Sequence, residues 1–534
     1  MNLQNDLIHD LSHALEAAQA LSPSLVEYPL GCPLPANEPM HACTASIPTW
    51  QDVVGYEEAD PRVLQALQCG YPRFVYSPTV KRLIAKLDTL HAAPKETCLP
   101  CPSARVAARM HEFLARCGVD RNALRVVDLG LDDVCAVVLP VAAAALAKSY
   151  WQHTGELVSS RWAARVLSHL ETGPVSVATT PGATDARQQL RKRIAQLAEQ
   201  DSQDVFCFQS GMAAISSCTR LLRQAAGNTP RAGAKAVVLG FPYLDTLKLL
   251  QHPHLGPGAH FIPDGDIRKL EAIAQAEPLL AVYIEVPSNP LLKTVDLEQL
   301  RAVANTHGFP IVADDSIGNF CNIDVLSRDS AHADVLVSSL TKTFSGRGNV
   351  MGGSMILNPK SKWYQEHRYY ASTSHQDLLF MDDAQALLSN AASLEARNSR
   401  TSTSAEQVAD YLVQHPAVAA VHFPKYNNPQ EYRAIARTPQ GWGGLMSVIL
   451  KDESKAAAVY DALKMPKGPG FGTNFSLVCP YTMLAHYQEL DFVRQHGVDP
   501  NLLRMWVGLE PVIDIIAAWS TALGGVDTQA SIQA

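Results

Sequence analysis

Ser339-Leu340-Thr341-Lys342 closes the apolar run from Ala333 to Ser338. A lysine at the end of a buried strand, with two hydroxyls just before it, has the residue types of a pyridoxal phosphate site. In such a site the amine of Lys342 would link covalently to the cofactor, and Ser339 and Thr341 could hydrogen-bond its phosphate. Taken alone, the tetrapeptide is better described as a strand-end lysine snorkelling into water. Asp314 ends a second apolar run, Phe309 to Ala313, and can pair with the protonated pyridine nitrogen that makes the ring an electron sink. Strand alternation turns its neighbour Asp315 to the opposite face; the plainer role for Asp314 is a helix cap. Upstream, Val205 to Ala214 reads as strand, tight turn and helix, with Ser210, Gly211 and Met212 at a helix N-terminus whose free N–H groups stabilise a phosphate. An ordinary glycine turn would account for that segment alone. In chain order, the three segments together point to one cofactor site.

The elements that must position these residues alternate between about 185 and 360. Apolar runs at 205–208, 236–239, 279–285, 311–313 and 335–337 are separated by helical patterns at 212–224, 244–251, 266–276 and 296–307. Continuous apolar strands imply burial on both faces and a mostly parallel sheet. The candidate cofactor groups fall at strand C-termini, where open α/β sheets take their ligands. A long linking helix is expected over 383–414. Strands at 443–450, 475–478 and 505–509 and helices at 453–463 and 512–523 then give a small α+β unit. The expected division is an N-terminal extension over 1–150, a large cofactor domain over 151–395 and a small C-terminal domain over 396–534. Within the extension, helices are expected at 6–21, 62–68, 80–91 and 104–117, a Pro/Cys-rich loop at 92–103, and short strands at 125–129 and 134–139.

The chain has 534 residues, 47% hydrophobic and 18% charged, and a formal charge of −8 from 44 basic against 52 acidic residues. That composition belongs to a folded protein of two or three domains. Without a basic block, nucleic acid is not expected as a partner. The apolar stretch at 134–146 is interrupted by Pro140 and too short to span a bilayer, so no membrane partner is expected. Residues 1–21 carry Asp6, Asp10 and Glu16 and do not read as a signal peptide. Eleven cysteines without framework spacing fit a reducing cytoplasm. Cys98-Leu99-Pro100-Cys101 resembles half a zinc site, but no second pair follows at useful spacing, so no metal is expected.

Further segments complete a recognisable order: Phe241-Pro242-Tyr243-Leu244-Asp245-Thr246, Glu285-Val286-Pro287-Ser288-Asn289-Pro290, and Arg504 within Leu503-Arg504-Met505-Trp506. With the segments above, they resemble the Cys/Met-metabolism family of pyridoxal phosphate enzymes over roughly 155–525. Ile47-Pro48-Thr49-Trp50 and Gly70-Tyr71-Pro72-Arg73-Phe74 are similar to the extension of its fungal cystathionine γ-synthase branch. The resemblance implies the α/β fold-type I (aspartate aminotransferase-like) architecture and pyridoxal 5′-phosphate as cofactor. It implies Lys342 as covalent anchor and moving acid/base, Tyr243 stacked on the ring in a catalytic position, and Asn289 on the 3′ oxygen. Arg504 is implied as the clamp on a substrate carboxylate, a task suited to a bidentate guanidinium.

Three departures from the family pattern stand out. No Y-x-R tripeptide lies directly upstream of Gln209-Ser210-Gly211, which leaves Arg161 in Ser159-Ser160-Arg161 as the candidate phosphate ligand reaching a neighbouring subunit. The family's S-L-G segment reads Ser476-Leu477-Val478, and Trp506 stands where a serine is usual. Ser476 and Trp506 are therefore expected at the substrate, in an acceptor pocket made more apolar. The expected activity is γ-substitution on an O-acetyl- or O-succinyl-L-homoserine with cysteine as nucleophile. The alternatives are a carbon nucleophile such as a β-keto acid enolate in specialised metabolism, or cystathionine cleavage. The resemblance also implies small amino-acid substrates and a homodimer or homotetramer with shared sites.

Overall fold

A computed structural model describes residues 24–173, 185–326 and 332–524. The helix expected at 6–21 lies outside the described residues. The N-terminal segment first forms a two-residue antiparallel pair, β1 (Pro33–Leu34) with β2 (Thr44–Ala45). A three-stranded antiparallel sheet follows, with β5 (Cys135–Pro140) between β3 (Glu96–Cys101) and β4 (Arg125–Asp128). The segment expected to be a Pro/Cys-rich loop is thus partly strand: Cys98 and Cys101 face β5, and both are buried. Helices Pro78–His91, Ala104–Arg116, Ala144–Thr154 and Ser160–Thr172 cover this sheet. Their core runs on through Leu157, Trp162 and Leu167, so the boundary expected at residue 150 cuts through a continuous core.

The large sheet contains β6 (Val205–Phe208), β7 (Ala236–Leu239), β8 (Ala259–Ile262), β9 (Val282–Glu285), β10 (Ile311–Asp314), β11 (Val335–Ser339) and β12 (Gly353–Leu357). Their order is β6-β12-β11-β10-β9-β7-β8, parallel from β11 to β8, with β12 antiparallel to both neighbours. Successive residues alternate between two buried faces. Ile311, Ala313 and Leu336 join one core, while Val312, Val335 and Val337 join the other with the helix Gly211–Ala226. Burial on both faces explains the uninterrupted apolar runs. The C-terminal unit is a four-stranded antiparallel sheet in the order β13 (Val418–His422), β14 (Leu445–Leu450), β16 (Leu503–Trp506), β15 (Leu477–Pro480).

The linking helix expected over 383–414 is broken. Helix Met381–Asn390 passes through a 3₁₀ turn, Ala391–Ser393, into helix Leu394–Gln414. Buried Arg397 sits just past the break and donates to Asn390 O, Thr343 O and Phe344 O at 3.1–3.2 Å. The guanidinium thereby ties the interrupted helix to the turn that follows Lys342. No described helix is long and apolar enough to cross a membrane.

Candidate cofactor and substrate site

Four strands end at one cavity of about 400 Å³. The turn after β6 brings Gly211 and Met212, β9 ends in Glu285, β10 ends in Asp314, and β11 ends in Ser339 with Lys342 three residues on. Asn289, Tyr243 and Arg504 complete the lining expected from sequence.

Helix Gly211–Ala226 starts here because Ser210 caps it, its Oγ accepting from Ala213 N at 3.1 Å. Gly211 is required by close approach: a Cβ there would lie 2.9 Å from Ser339 Cβ. Ser339 Oγ is buried and has no hydrogen-bond partner among the described residues. An orphaned hydroxyl beside a helix N-terminus suits a phosphate oxygen. Thr341 is turned away from the lining, its Oγ1 accepting from Gly352 N at 3.1 Å.

Asp314 and Glu285 are register partners across β10 and β9. Burial raises the pKa of both carboxyls, and Asp314 raises that of Glu285 further. Glu285 also accepts from Tyr243 N at 2.6 Å, which fixes the start of helix Leu244–Gln251. Asp315 points to the other face, outside the cavity lining, where burial pushes its carboxyl up to about 7. Burial, aided by the Arg504 cation, lowers the Lys342 ammonium to about 7. Its Nζ lies 4.6 Å from the ring centroid of Phe471.

Arg504 is buried on β16, donating to Asn289 Oδ1 at 3.1 Å and to Pro469 O at 2.7 Å. Its guanidinium carbon stands 4.3 Å from the centroid of Tyr481, whose hydroxyl accepts from Asn289 Nδ2 at 3.0 Å. Asn289, Tyr481 and Arg504 thus form one network that holds the guanidinium at the cavity wall.

Besides Thr341 and Ser210, whose Oγ donates to Gly155 O at 3.0 Å outside the lining, three expected site residues are elsewhere. Arg161 donates to Asn349 O at 2.9 Å and pairs with Asp383 at 3.2 Å, outside the cavity lining. Ser476 Oγ donates to Glu510 at 2.8 Å and accepts from Gly508 N at 2.9 Å, also outside the lining. Trp506 is buried against Phe471 and Leu477, with its indole N–H donating to Thr473 O at 2.6 Å. Phe471, not Trp506, faces the cavity, and Val478 belongs to the core.

The N-terminal extension supplies what sequence reasoning missed. Tyr71-Pro72-Arg73 is a Y-x-R tripeptide, far upstream of the segment where one was sought, and both Tyr71 and Arg73 line the cavity. Arg73, 1% exposed, pairs with Asp245 at 2.7 Å, donates to the Tyr243 hydroxyl, and leaves Nε without a partner. Its pKa is raised by Tyr243 and Asp245 against the effect of burial. Cys43, Tyr56, Glu57 and Phe74 from the same extension also form part of the wall.

The residues present fit pyridoxal phosphate. Gly211, Met212 and Ser339 would hold the phosphate with Arg73, Asp314 the ring nitrogen, Tyr243 a ring face, Asn289 the 3′ oxygen, and Lys342 the covalent link. The family model for Cys/Met metabolism PLP-dependent enzymes matches residues 181–524, and the N-terminal domain of fungal trans-sulfuration enzymes matches 79–159. The chain belongs to the Cys/Met-metabolism family of pyridoxal phosphate-dependent enzymes. Among its relatives, the cystathionine gamma-synthase of Neurospora crassa is 33% identical over 94% of this chain and 99% of its own. The cystathionine gamma-synthase-like enzyme iboG1 of Amanita muscaria is 33% identical over 93% of this chain and 97% of its own. The fold is that of the cystathionine gamma synthase from Xanthomonas oryzae solved with aminoacrylate and cysteine, with a TM-score of 0.55 at 23% identity. That match covers 66% of this chain and 89% of the other.

Proposed function

We propose that this enzyme replaces the γ-substituent of an O-acylated L-homoserine with the thiolate of cysteine, forming cystathionine. The observation that carries the reading is the convergence of Lys342, Asp314 and Arg504 on one cavity. When bound, pyridoxal phosphate supplies the electron sink that permits proton loss from the substrate and departure of the γ-acyloxy group. Arg504, held by Asn289 and Pro469, binds the amino acid's carboxylate and orients Cα. The Lys342 amine, lowered to about 7, is poised to take and return protons at Cα and Cβ near neutral pH. Asp314, at the cavity end of its strand, would pair with the ring nitrogen, while burial and Asp314 raise the pKa of the neighbouring Glu285.

At the same cavity, Glu57 and Lys248 present one acid and one base. Burial raises the Glu57 pKa and Lys248 opposes that shift, so each group feels the other's charge. The pair suits the charged ends of a zwitterionic acceptor, which are costly to bury without partners. This favours cysteine over a β-keto acid, because Val478 and Trp506, the residues that pointed to an apolar acceptor, lie outside the cavity lining. Product analysis with O-acetyl- and O-succinylhomoserine, offered cysteine, a β-keto acid or neither, tests the reading. Cystathionine is expected. A carbon-substituted product, or cleavage of supplied cystathionine as the dominant reaction, would replace it.

A further inference from the structure

A second cavity, of about 320 Å³, lies where the N-terminal unit meets the cofactor domain. Helix Ala104–Arg116 brings Arg105 and Arg109 to it, and helix Gly211–Ala226 brings Arg220. The one carboxylate in its wall is Glu156, which is buried and fully engaged. It accepts from Arg109 at 2.6 and 3.2 Å, from Arg220 at 2.7 Å and from the Tyr150 hydroxyl at 2.7 Å. His375 adds no charge near neutrality, because burial lowers its pKa to about 4. Three guanidinium groups therefore face one carboxylate.

Two further observations mark unmet donors at the same cavity. Arg105 is exposed and makes one protein hydrogen bond, to Ser374 O at 3.0 Å, so most of its five donors are free. Gln209, 5% exposed, lines the same cavity, and its buried Nε2 has no partner among the described residues. A buried amide N–H₂ without an acceptor costs free energy unless something fills its place.

We propose that this cavity binds a small polyanion, a molecule with two or more negative charges of the dicarboxylate or phosphate type. Arg105 and the outward N–H groups of Arg109 and Arg220 take the charges, and Gln209 Nε2 donates to one oxygen. The site is separate from the cofactor cavity, yet Gln209 directly precedes Ser210, the cap of the cofactor turn. Its occupant would join the fungal-type N-terminal unit to that turn.

The test uses the holoenzyme, whose own phosphate site is filled, in calorimetric titrations with citrate and with inorganic phosphate against sodium chloride of equal ionic strength. Saturable binding of citrate, phosphate or both is expected, and the arm that binds tells a carboxylate ligand from a phosphate. Arg105→Gln should weaken it by roughly tenfold, the worth of a charge-assisted hydrogen bond. Ser217→Asp, which sets a carboxylate beside Arg220, should abolish it. Both variants should keep their circular dichroism and basal turnover. Heats no larger than those of chloride would overturn the proposal, as would unchanged binding in both folded variants.

Discussion

The Lys342 Nζ lies 4.8 Å from the centroid of the Tyr71 ring. The amine at the heart of the cofactor domain is thus covered by a side chain from the N-terminal extension, with Arg73 two residues on bound to Tyr243 and Asp245. The extension is part of the site's wall. Arg73→Ala leaves Asp245 buried without its guanidinium, a loss of roughly 3–5 kcal/mol. A lower Tm and weaker retention of cofactor, followed by its visible absorbance, are expected. Unchanged values for both would mean that Arg73 is idle.

Tyr71 and Arg73 line the cavity of their own chain, which bears on whether sites are shared between subunits. If Lys342→Ala and Arg73→Ala are each inactive alone, the two variants unfolded together and refolded as a mixture should recover no activity when each chain completes its own site. Recovery of a substantial fraction would show that the segment crosses to a neighbour, as the family resemblance implies.

The Lys342 amine should titrate near 7, where burial places it. Capture of pyridoxal phosphate by the apoenzyme should therefore quicken as pH rises through about 7 and then level off, since the neutral amine is the nucleophile. Because the folded pKa lies below the unfolded value, the unfolded chain binds more protons between about 7 and 10.5, and this lysine's destabilising effect fades as pH rises across that window. Lys342→Met should raise the apoenzyme's Tm below that window while abolishing turnover and borohydride labelling. Labelling of a different lysine would end the assignment.

Asp314 and Asp315 separate electronics from stability. Asp314→Asn removes the carboxylate in the cavity and should lower kcat by orders of magnitude with little change in Tm. Asp315 lies on the other face with its pKa raised from 3.8 to about 7. Its folded form holds a proton that the unfolded chain has lost, so stability falls as pH rises across that window. Asp315→Asn should flatten that fall and spare kcat. The reverse pattern would exchange the two roles.

The sheet and the cofactor end of the site were legible because burial on both faces writes β6, β7, β9, β10 and β11 as apolar runs, the last three ending in Glu285, Asp314 and Ser339. Strands β8 and β12 carry weaker signals. The first is half-exposed, and the second opens with Gly353, where a Cβ would meet Ser210 O at 2.2 Å. The surroundings of Arg504 were not legible, because chain proximity does not report which layer a side chain occupies. Trp506 shares a face of β16 with Arg504, yet Phe471 from a separate loop takes the place beside the guanidinium, 5.4 Å from its carbon. Tyr71 and Arg73 were missed for the complementary reason. The unit spanning 79–159 separates them from the turn they adjoin, so no local spacing marks the contact.

Glu57 and Lys248 offer the test of the proposed cysteine acceptor. Burial pushes the Glu57 carboxyl up to about 7, with Lys248 opposing the shift. An incoming ammonium would favour its charged form and lower that pKa. If a zwitterionic amino acid is held between the two, Glu57→Gln and Lys248→Met should each raise the KM for cysteine by about tenfold, the worth of one charged hydrogen bond. The KM for the acylhomoserine bound by Arg504 should change much less. The wild-type KM for cysteine should fall as pH rises through 7 and Glu57 ionises, a trend that Glu57→Gln should erase. Equal effects on both substrates would place the pair at the entrance as general electrostatics. No effect on either would remove it from recognition and reopen the case for a carbon acceptor.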